Sequence, residues 1–475
     1  MPPHRAAPSD DPVLRLHRPP RAAPNTAPED GPDDKPEDGS ADGSTHVPPG
    51  APPASGGALL VYSETRHRRL RACPRAAYYA GHLAPAGLGA PVGSAAWLAA
   101  RLRRTTTVWA AVGGALHDAA AACARAARAG GPLPTPDALR ARAGVALNAL
   151  WRSSRDRRAA FLARPAHVPM LAEVLYGEEP TPATLARARE RLDRGVEALV
   201  GLRPLWRAVG RPGAEARVPA PFFSFTLPAL PNTAGASAPD APGRGPVGGR
   251  SRTPGLAGGA VRCYAAPDLL VRPRLDAPWH VIEFKSGRTD GSADQALTYA
   301  LAAMVGFRLT PAPGPRPYAG AVVALSAPGR SGAPGRSAAP DASVIRRPLG
   351  IPDALGIPGM AAPAGPSFDV PPAHPGLTAF AVTWEDLAYA EARVRRGAEE
   401  LGALAAAVAV ATRTPKGAPA GGPRTAAAWR PGELPDTIAA AAPRTADPRH
   451  CPRCEFRGLC YPGRYPVARL TMTVS

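Results

Sequence analysis

The chain has 475 residues and a formal net charge of +19 at pH 7, and its six cysteines are too few for a disulfide framework. No apolar stretch reaches the roughly 20 residues of a membrane span, and the first residues show no signal-peptide pattern, so we expect a cytoplasmic protein without a membrane anchor. The excess positive charge suits a polyanion such as nucleic acid. An arginine-rich composition alone would also produce this excess.

The N-terminal half is predicted to be mainly helical. Residues 1–57 are rich in Pro and Gly and hold five Lys and Arg against nine Asp and Glu, which predicts a disordered acidic tail. Residues 58–227 form an N-terminal helical part. Within it, a short strand is predicted at 58–61, helices at about 94–129, 136–162 and 182–200, and a strand at 215–227.

The C-terminal half alternates strands with helices. Strands are predicted at 260–271, 279–284, 318–326 and 377–383, and helices at 292–305 and 384–412. This order predicts an α/β fold with a mixed central sheet, whose core spans 260–412, flanked by helices and an added helical layer. Pro/Gly-rich segments are predicted as a disordered insertion at 228–259, a loose insertion at 327–376 and a linker at 413–443, followed by a cysteine motif in 444–475.

One predicted strand carries charged residues at its end. Glu283 and Lys285 are two positions apart and point to the same face, and Asp268 lies fifteen residues upstream. Only three of the 57 basic residues are lysines, and a partly buried lysine can lose its proton whereas arginine cannot. The pattern is typical of metal-dependent phosphodiester hydrolysis: Asp268, Glu283 and the backbone carbonyl of Phe284 bind the cation, and Lys285 activates water or contacts the phosphate. The alternative is an ordinary ion pair.

Three more side chains are candidates for the same site. His117, in the long predicted helix, adds an imidazole that suits Mn²⁺ or Mg²⁺ beside two carboxylates. Gln295 and Tyr299 share one face of the helix that follows the charged strand, and we expect them to contact DNA. The alternatives are an ordinary helical histidine and an ordinary polar helix face.

The cysteines near the C-terminus form a second motif. Cys451, Cys454 and Cys460 are spaced as Cys-x2-Cys-x5-Cys, and three thiolates need a fourth ligand to complete a zinc site or a cubane cluster. Cys73, almost four hundred residues upstream, is one candidate for it. The spacing favours an iron–sulfur cluster that joins the two ends of the domain. A zinc site with His450 as a ligand is the alternative.

These motifs together resemble the RecB-like branch of the PD-(D/E)XK nuclease superfamily. They are most similar to its iron–sulfur members, the AddB-type nuclease domains and the CRISPR-associated RecB-like exonucleases. The motifs of this family occur here in the family order, as Cys73-Pro74-Arg75, Gly113 to His117, Asp268, Glu283 to Lys285, Gln295 to Tyr299, and Cys451, Cys454 and Cys460.

The resemblance implies a restriction-endonuclease-like fold and a Mg²⁺- or Mn²⁺-dependent DNA exonuclease that acts on single-stranded ends in repair, recombination or defence. It implies metal binding by His117, Asp268 and Glu283, catalysis by Lys285 and DNA contacts by Gln295 and Tyr299. It also implies a 4Fe–4S cluster held by Cys73, Cys451, Cys454 and Cys460.

Three questions stay open at this point. The chain has no phosphate-binding loop of a helicase motor, so a separate helicase or another repair or defence subunit remains a candidate partner. A catalytically inactive DNA-binding or scaffold protein with a zinc site is the alternative function. An RNA nuclease is a third reading, although no RNA-binding module is recognisable.

Overall fold

The computed structural model describes residues 60–87, 89–217, 223–228, 260–287, 291–312, 314, 316–325, 377–412, 429–445 and 447–465. The predicted tail, the insertion at 228–259 apart from its first residue, the insertion at 327–376 and residues 413–428 of the linker lie outside this range. The described part contains two mixed sheets flanked by helices, which confirms the predicted α/β fold class. None of its helices is long and apolar enough to cross a membrane.

The strands of the described chain form two separate sheets. They are β1 (Leu60–Ser63), β2 (Glu215–Arg217), β3 (Phe223–Leu227), β4 (Val261–Ala265), β5 (Leu269–Arg272), β6 (Trp279–Lys285), β7 (Tyr318–Ala324) and β8 (Leu377–Val382). The three-stranded sheet has the order β1-β4-β3, in which β1 and β4 are parallel. The five-stranded sheet has the order β2-β5-β6-β7-β8, and only β6 and β7 are parallel in it.

Two of the predicted strands are each divided between these sheets. The strand predicted at 215–227 is divided into β2 and β3, with Pro219 and Pro221 between them. The strand predicted at 260–271 is divided into β4 and β5, with Pro267 between them. Proline has no N–H for a sheet ladder, which gives a physical reason why β4 ends before Pro267 and the chain continues in the other sheet as β5.

Helices cover both faces of the five-stranded sheet. They are α1 (Glu64–Ala72), α2 (Pro74–Tyr78), α3 (Ala84–Ala86), α4 (Ala95–Leu102), α5 (Val108–Arg128), α6 (Pro136–Asp156), α7 (Arg158–Ala163), α8 (Ala172–Leu175), α9 (Pro182–Gly201), α10 (Arg203–Val209), α11 (Ser292–Val305), α12 (Trp384–Thr412), α13 (Asp436–Ala441) and α14 (Arg457–Cys460). The helix predicted at 94–129 is interrupted between α4 and α5. Thr107 caps the new start, because its side chain accepts a hydrogen bond from the backbone N–H of Ala110.

Strand β6 separates two apolar layers. Ile282 and Phe284 belong to a cluster that includes residues of α5, α9 and α10. Trp279 and Val281 belong to a second cluster that includes residues of α11 and α12. Successive residues of β6 therefore face different helices, and the charged residues at its end lie on the side of α11.

A third apolar cluster joins the N-terminal helices to the C-terminal segment. Phe456 and Ile438 are fully buried in it, and Arg75 Nε donates to the carbonyl of Ala442 at 2.8 Å. Residues 429–443, predicted as linker, are thus packed and contain α13. A helix of six residues is too short to show apolar periodicity in the sequence.

Candidate active site

The register of the sheet places the two predicted acidic residues side by side. Strands β5 and β6 are antiparallel with Leu269 opposite Ile282, so Asp268, one residue before β5, lies beside Glu283. Asp268 Oδ2 accepts a hydrogen bond from the backbone N–H of Phe284 at 2.8 Å. Residues fifteen positions apart in sequence are therefore neighbours across the sheet.

Glu283 is the most deeply buried charged residue of this site, with 3 % of its surface exposed. Its Oε1 accepts hydrogen bonds from Lys285 Nζ and, at 2.8 Å, from Gln295 Nε2. Its Oε2 is buried without a hydrogen-bond partner among the described residues. Burial, and then the charge of Asp268, raises the pKa of Glu283 to about 8, and the opposing effects of Lys285 and His117 do not cancel this rise. The carboxylate is therefore short of compensating positive charge.

His117 reaches the acidic pair from the helical layer. Its Nδ1 lies 2.8 Å from Asp268 Oδ1. Burial by itself lowers the pKa of His117, but the hydrogen bond and charge of Asp268, with the charge of Glu283, produce a net increase. Four residues earlier, Gly113 allows α5 to approach the end of β6, because a Cβ at this position would lie 3.0 Å from Ser286 Oγ. This contact gives a physical reason for glycine one turn before the histidine.

Helix α11 holds the carboxylate and the lysine in a buried hydrogen-bond network. Gln295 Oε1 accepts from Lys285 Nζ at 3.0 Å and from Arg68 at 3.1 Å, and Gln295 Nε2 also donates to the Tyr299 hydroxyl at 2.9 Å. Gln295 and Tyr299 are buried. In this structure Gln295 orients Glu283 and Lys285, and the expected DNA contacts of Gln295 and Tyr299 stay a prediction.

Two arginines near this network were not identified from the sequence. Arg68 of α1 contacts Gln295, as described above, and Arg191 of α9 lies with its Nη2 3.4 Å from Ser286 Oγ, just beyond β6. Arginine supplies nearly all of the 57 basic residues, and no local pattern distinguishes these two from the rest. Only the packing of α1 and α9 reveals their position.

The fold brings Cys73 close to the C-terminal cysteines. Cys73, Cys454 and Cys460 border the third apolar cluster as free thiols. Burial is the main reason that the pKa of Cys454 rises to about 12, and Cys460 and Cys73 add to the increase. Cys451 is in the same turn, since its carbonyl accepts a hydrogen bond from the N–H of Cys454 at 3.1 Å. The side chain of His450, the alternative zinc ligand, lies outside the described part.

Within the described residues, no group of three or more His, Cys, Asp or Glu side chains has the arrangement of a metal site. The donor types nevertheless suit a divalent cation, because two carboxylates and an imidazole are ligands for Mg²⁺ or Mn²⁺. The buried, unpartnered Oε2 of Glu283 is an acceptor that such a cation would satisfy. Likewise, the free thiols of Cys73, Cys451, Cys454 and Cys460 are of the type that binds iron–sulfur clusters or zinc.

Comparison with known proteins identifies the family. No curated protein and no solved structure matches the chain, and the RecB-like iron–sulfur branch stays a prediction. The chain does match the sequence profile of the PD-(D/E)XK nuclease superfamily over residues 61–461, a range that contains every predicted site residue from Cys73 to Cys460. Nucleases of this superfamily typically use divalent metals such as Mg²⁺ or Mn²⁺. The chain therefore belongs to the PD-(D/E)XK nuclease superfamily.

Proposed function

We propose that this chain is a metal-dependent DNA nuclease whose reaction centre lies at the carboxyl end of β6. The observation that carries the proposal is Glu283 Oε2, which is buried without a hydrogen-bond partner among the described residues. Leaving a buried acceptor unsatisfied costs about 1–3 kcal/mol, and more for a charged group. Strongly perturbed carboxylates of this kind are characteristic of functional sites, and a bound cation would remove the cost.

Each residue of the cluster has a distinct role in this proposal. Asp268, Glu283 and His117, with the backbone carbonyl of Phe284, hold the cation. A divalent cation supplies charge neutralisation at the phosphate and lowers the pKa of a bound water. The hydrogen bond from the N–H of Phe284 keeps Asp268 against the strand. Lys285, which shares Glu283 Oε1 with Gln295, positions the attacking water or pairs with the phosphate.

DNA is the substrate that the family membership and the net charge of +19 favour together. We further propose exonuclease action on single-stranded ends, in repair, recombination or defence, on the basis of the ordered motifs that run from Cys73 to Cys460. Gln295 and Tyr299 are assigned to DNA binding in the same way, in addition to the contacts that Gln295 makes with Glu283 and Lys285.

The test is cleavage of end-labelled DNA by the full-length chain in Mg²⁺, in Mn²⁺ and in EDTA. We expect cleavage in Mg²⁺ or Mn²⁺ and none in EDTA, with stepwise shortening of single strands as the sign of exonuclease action. DNA that is bound but remains uncut in both metals would instead support the scaffold function. Preferential cutting of an RNA strand of the same sequence would replace DNA as the substrate.

The proposal includes a 4Fe–4S cluster held by Cys73, Cys451, Cys454 and Cys460. It is supported by the contacts that join the segments around these cysteines. Arg69 Nη2 lies 2.9 Å from Glu455 Oε1, and the Tyr176 hydroxyl donates to the carbonyl of Glu455 at 2.7 Å. The Cys460 thiol lies 3.9 Å from the Tyr79 hydroxyl. A group that bridges the four thiols would fasten the two ends of the domain together.

Protein purified without oxygen is expected to be brown, with broad visible absorption and about four iron atoms per chain. The Cys73→Ser variant should lose this absorption, and Cys123→Ala, which changes a cysteine buried in α5, should retain it. A colourless protein with stoichiometric zinc would establish the zinc site instead. Absorption and metal content by elemental analysis distinguish the two outcomes.

A further inference from the structure

The side chain of Arg191 occupies an unusual position beside the proposed reaction centre. It projects from α9 to the residues that directly follow Lys285, with Nη2 3.4 Å from Ser286 Oγ. The guanidinium also lies close to the backbone of Gly287, because a Cβ added to this glycine would lie 2.8 Å from Arg191 Nη2. The absence of a side chain at Gly287 leaves the space in which this guanidinium lies.

The charge of Arg191 is not neutralised by any described side chain. Burial lowers its pKa, and no carboxylate of the described residues opposes that effect. Its Nε is buried without a hydrogen-bond partner among the same residues. Two other arginines of α9 do have acidic partners, since Arg189 lies 4.0 Å from Asp193 and Arg194 lies 3.6 Å from Glu190. A partly desolvated guanidinium without an acid is unfavourable unless another anion approaches it.

Helix α5 fixes the guanidinium in place. The centre of the Arg191 guanidinium lies 5.6 Å from the ring centroid of Trp109, within the range of a cation–π interaction. Trp109, Gly113 and His117 are spaced by four residues and therefore share one face of α5. This face contacts Arg191, Ser286 and Asp268 in turn. The helix that supplies the histidine to the acidic pair thus also positions the arginine.

We infer that Arg191 is a phosphate-binding residue of the nuclease, which contacts a backbone phosphate next to the one held at Lys285. A guanidinium presents several N–H donors suited to phosphate oxygens, and contacts of this kind position the strand without reading its sequence. The inference rests on the proposed nuclease function. It adds that helix α9, part of the helical layer, supplies a residue that binds the substrate. Arg191 would bind the substrate without taking part in bond cleavage.

The test uses the full-length Arg191→Ala variant and a short fluorescein-labelled single-stranded oligodeoxynucleotide. Binding is measured by fluorescence anisotropy in Ca²⁺, without cleavage, over a series of salt concentrations. We expect the Kd to rise about tenfold and the slope of log Kd against log salt concentration to fall by about 0.7, the value for one phosphate contact on a single strand. In Mn²⁺ we expect KM to rise with little change in kcat. A purely structural role would not change the salt slope.

Two further variants make the result specific. Arg191→Lys retains the charge and should keep the wild-type salt slope. If Arg191→Ala fails to fold, the lysine variant still tests the role of the charge. Arg194→Ala removes the same charge from the same helix and should leave Kd and slope unchanged. Wild-type Kd, KM and slope in Arg191→Ala would overturn the inference while leaving the proposed function intact. A wild-type chain that binds no DNA would overturn both.

Discussion

DNA cleavage by the Lys285→Ala variant is expected to fall by about 10³-fold or more relative to the wild-type chain. The cationic side chain of Lys285 contacts the buried Glu283 directly, and in the proposed mechanism it positions the water or the phosphate. Its removal takes these functions away, and the neighbouring Gln295 amide, which is uncharged, does not supply them. Initial rates on end-labelled single strands in Mn²⁺ measure the effect.

Two variants separate catalysis from folding. Lys285→Arg keeps a positive charge but replaces a compact ammonium by a larger planar guanidinium, which does not fit the same position between Glu283 and Gln295, so it should also lose most of the activity. Glu283→Gln removes the proposed metal ligand with little change in volume and should abolish cleavage to a similar extent. Thermal unfolding of all variants provides the control for folding. Cleavage at the wild-type rate by folded Lys285→Ala protein would refute the assignment of the active site.

The largest expected effect on stability is that of Arg393→Ala, which should lower the free energy of unfolding by about 3–5 kcal/mol. Arg393 of α12 forms two hydrogen bonds with the buried Glu64, of 2.7 and 2.8 Å. It also donates to Thr298 Oγ1 of α11 at 3.2 Å. The variant would leave the Glu64 carboxylate buried with the Tyr62 hydroxyl as its remaining strong donor. Urea-induced unfolding measures the loss.

The pKa of Glu64 predicts how this stabilisation depends on pH. Burial alone would raise this pKa, but hydrogen bonds from Arg393 and Tyr62 and the charge of Arg393 lower it below its usual value. A depressed carboxyl pKa contributes stability above the pKa of the unfolded chain, and the contribution is lost as the pH falls through the folded-state value. The difference between wild type and Arg393→Ala should therefore be largest at neutral pH and shrink in acid.

A matched control comes from the same helix. Arg396 is exposed on α12, so Arg396→Ala should change the free energy of unfolding by no more than about 0.5 kcal/mol. Equal stability of the Arg393 and Arg396 variants would show that the buried pair does not hold α1 and α12 together. The result also concerns the active site. Arg393 contacts both α1 and α11, and these helices carry Arg68 and Gln295, which are hydrogen-bonded to each other.

Strong local patterns made several elements predictable from the sequence. Helix α11 and helix α12 have the predicted bounds, and β6 extends only one residue beyond its predicted end. Boundaries within long, permissive stretches were less accurate. The Ala-rich run at 94–129 is compatible with one helix, and its division into α4 and α5 involves a threonine cap and packing against other elements. Likewise, the strands predicted at 215–227 and 260–271 gave no sign that each is divided between two sheets.

The charged residues of the candidate site were predictable for a different reason. Glu283 and Lys285 share a face because of the period of a strand, which is a local property. Asp268 was a candidate as an acid fifteen residues upstream and His117 as an imidazole on a long helix, and the order of motifs supported both. Their positions beside Glu283 depend on the pairing of β5 with β6 and the packing of α5. The buried state of Gln295 was not predictable, since a polar helix face has the same pattern whether it meets solvent or protein.

By itself, the sequence determined the α/β class, the bounds of the strongly periodic elements and the motif order that led to the nuclease superfamily, because these depend on local periodicity and residue type. Only the tertiary structure decided how distant residues meet. It brings Asp268 to Glu283, Cys73 to Cys454, and Arg191 to the residues beyond Lys285. Burial, hydrogen bonding and unneutralised charge arise from such long-range contacts, and in a chain so rich in arginine no single residue signals them in advance.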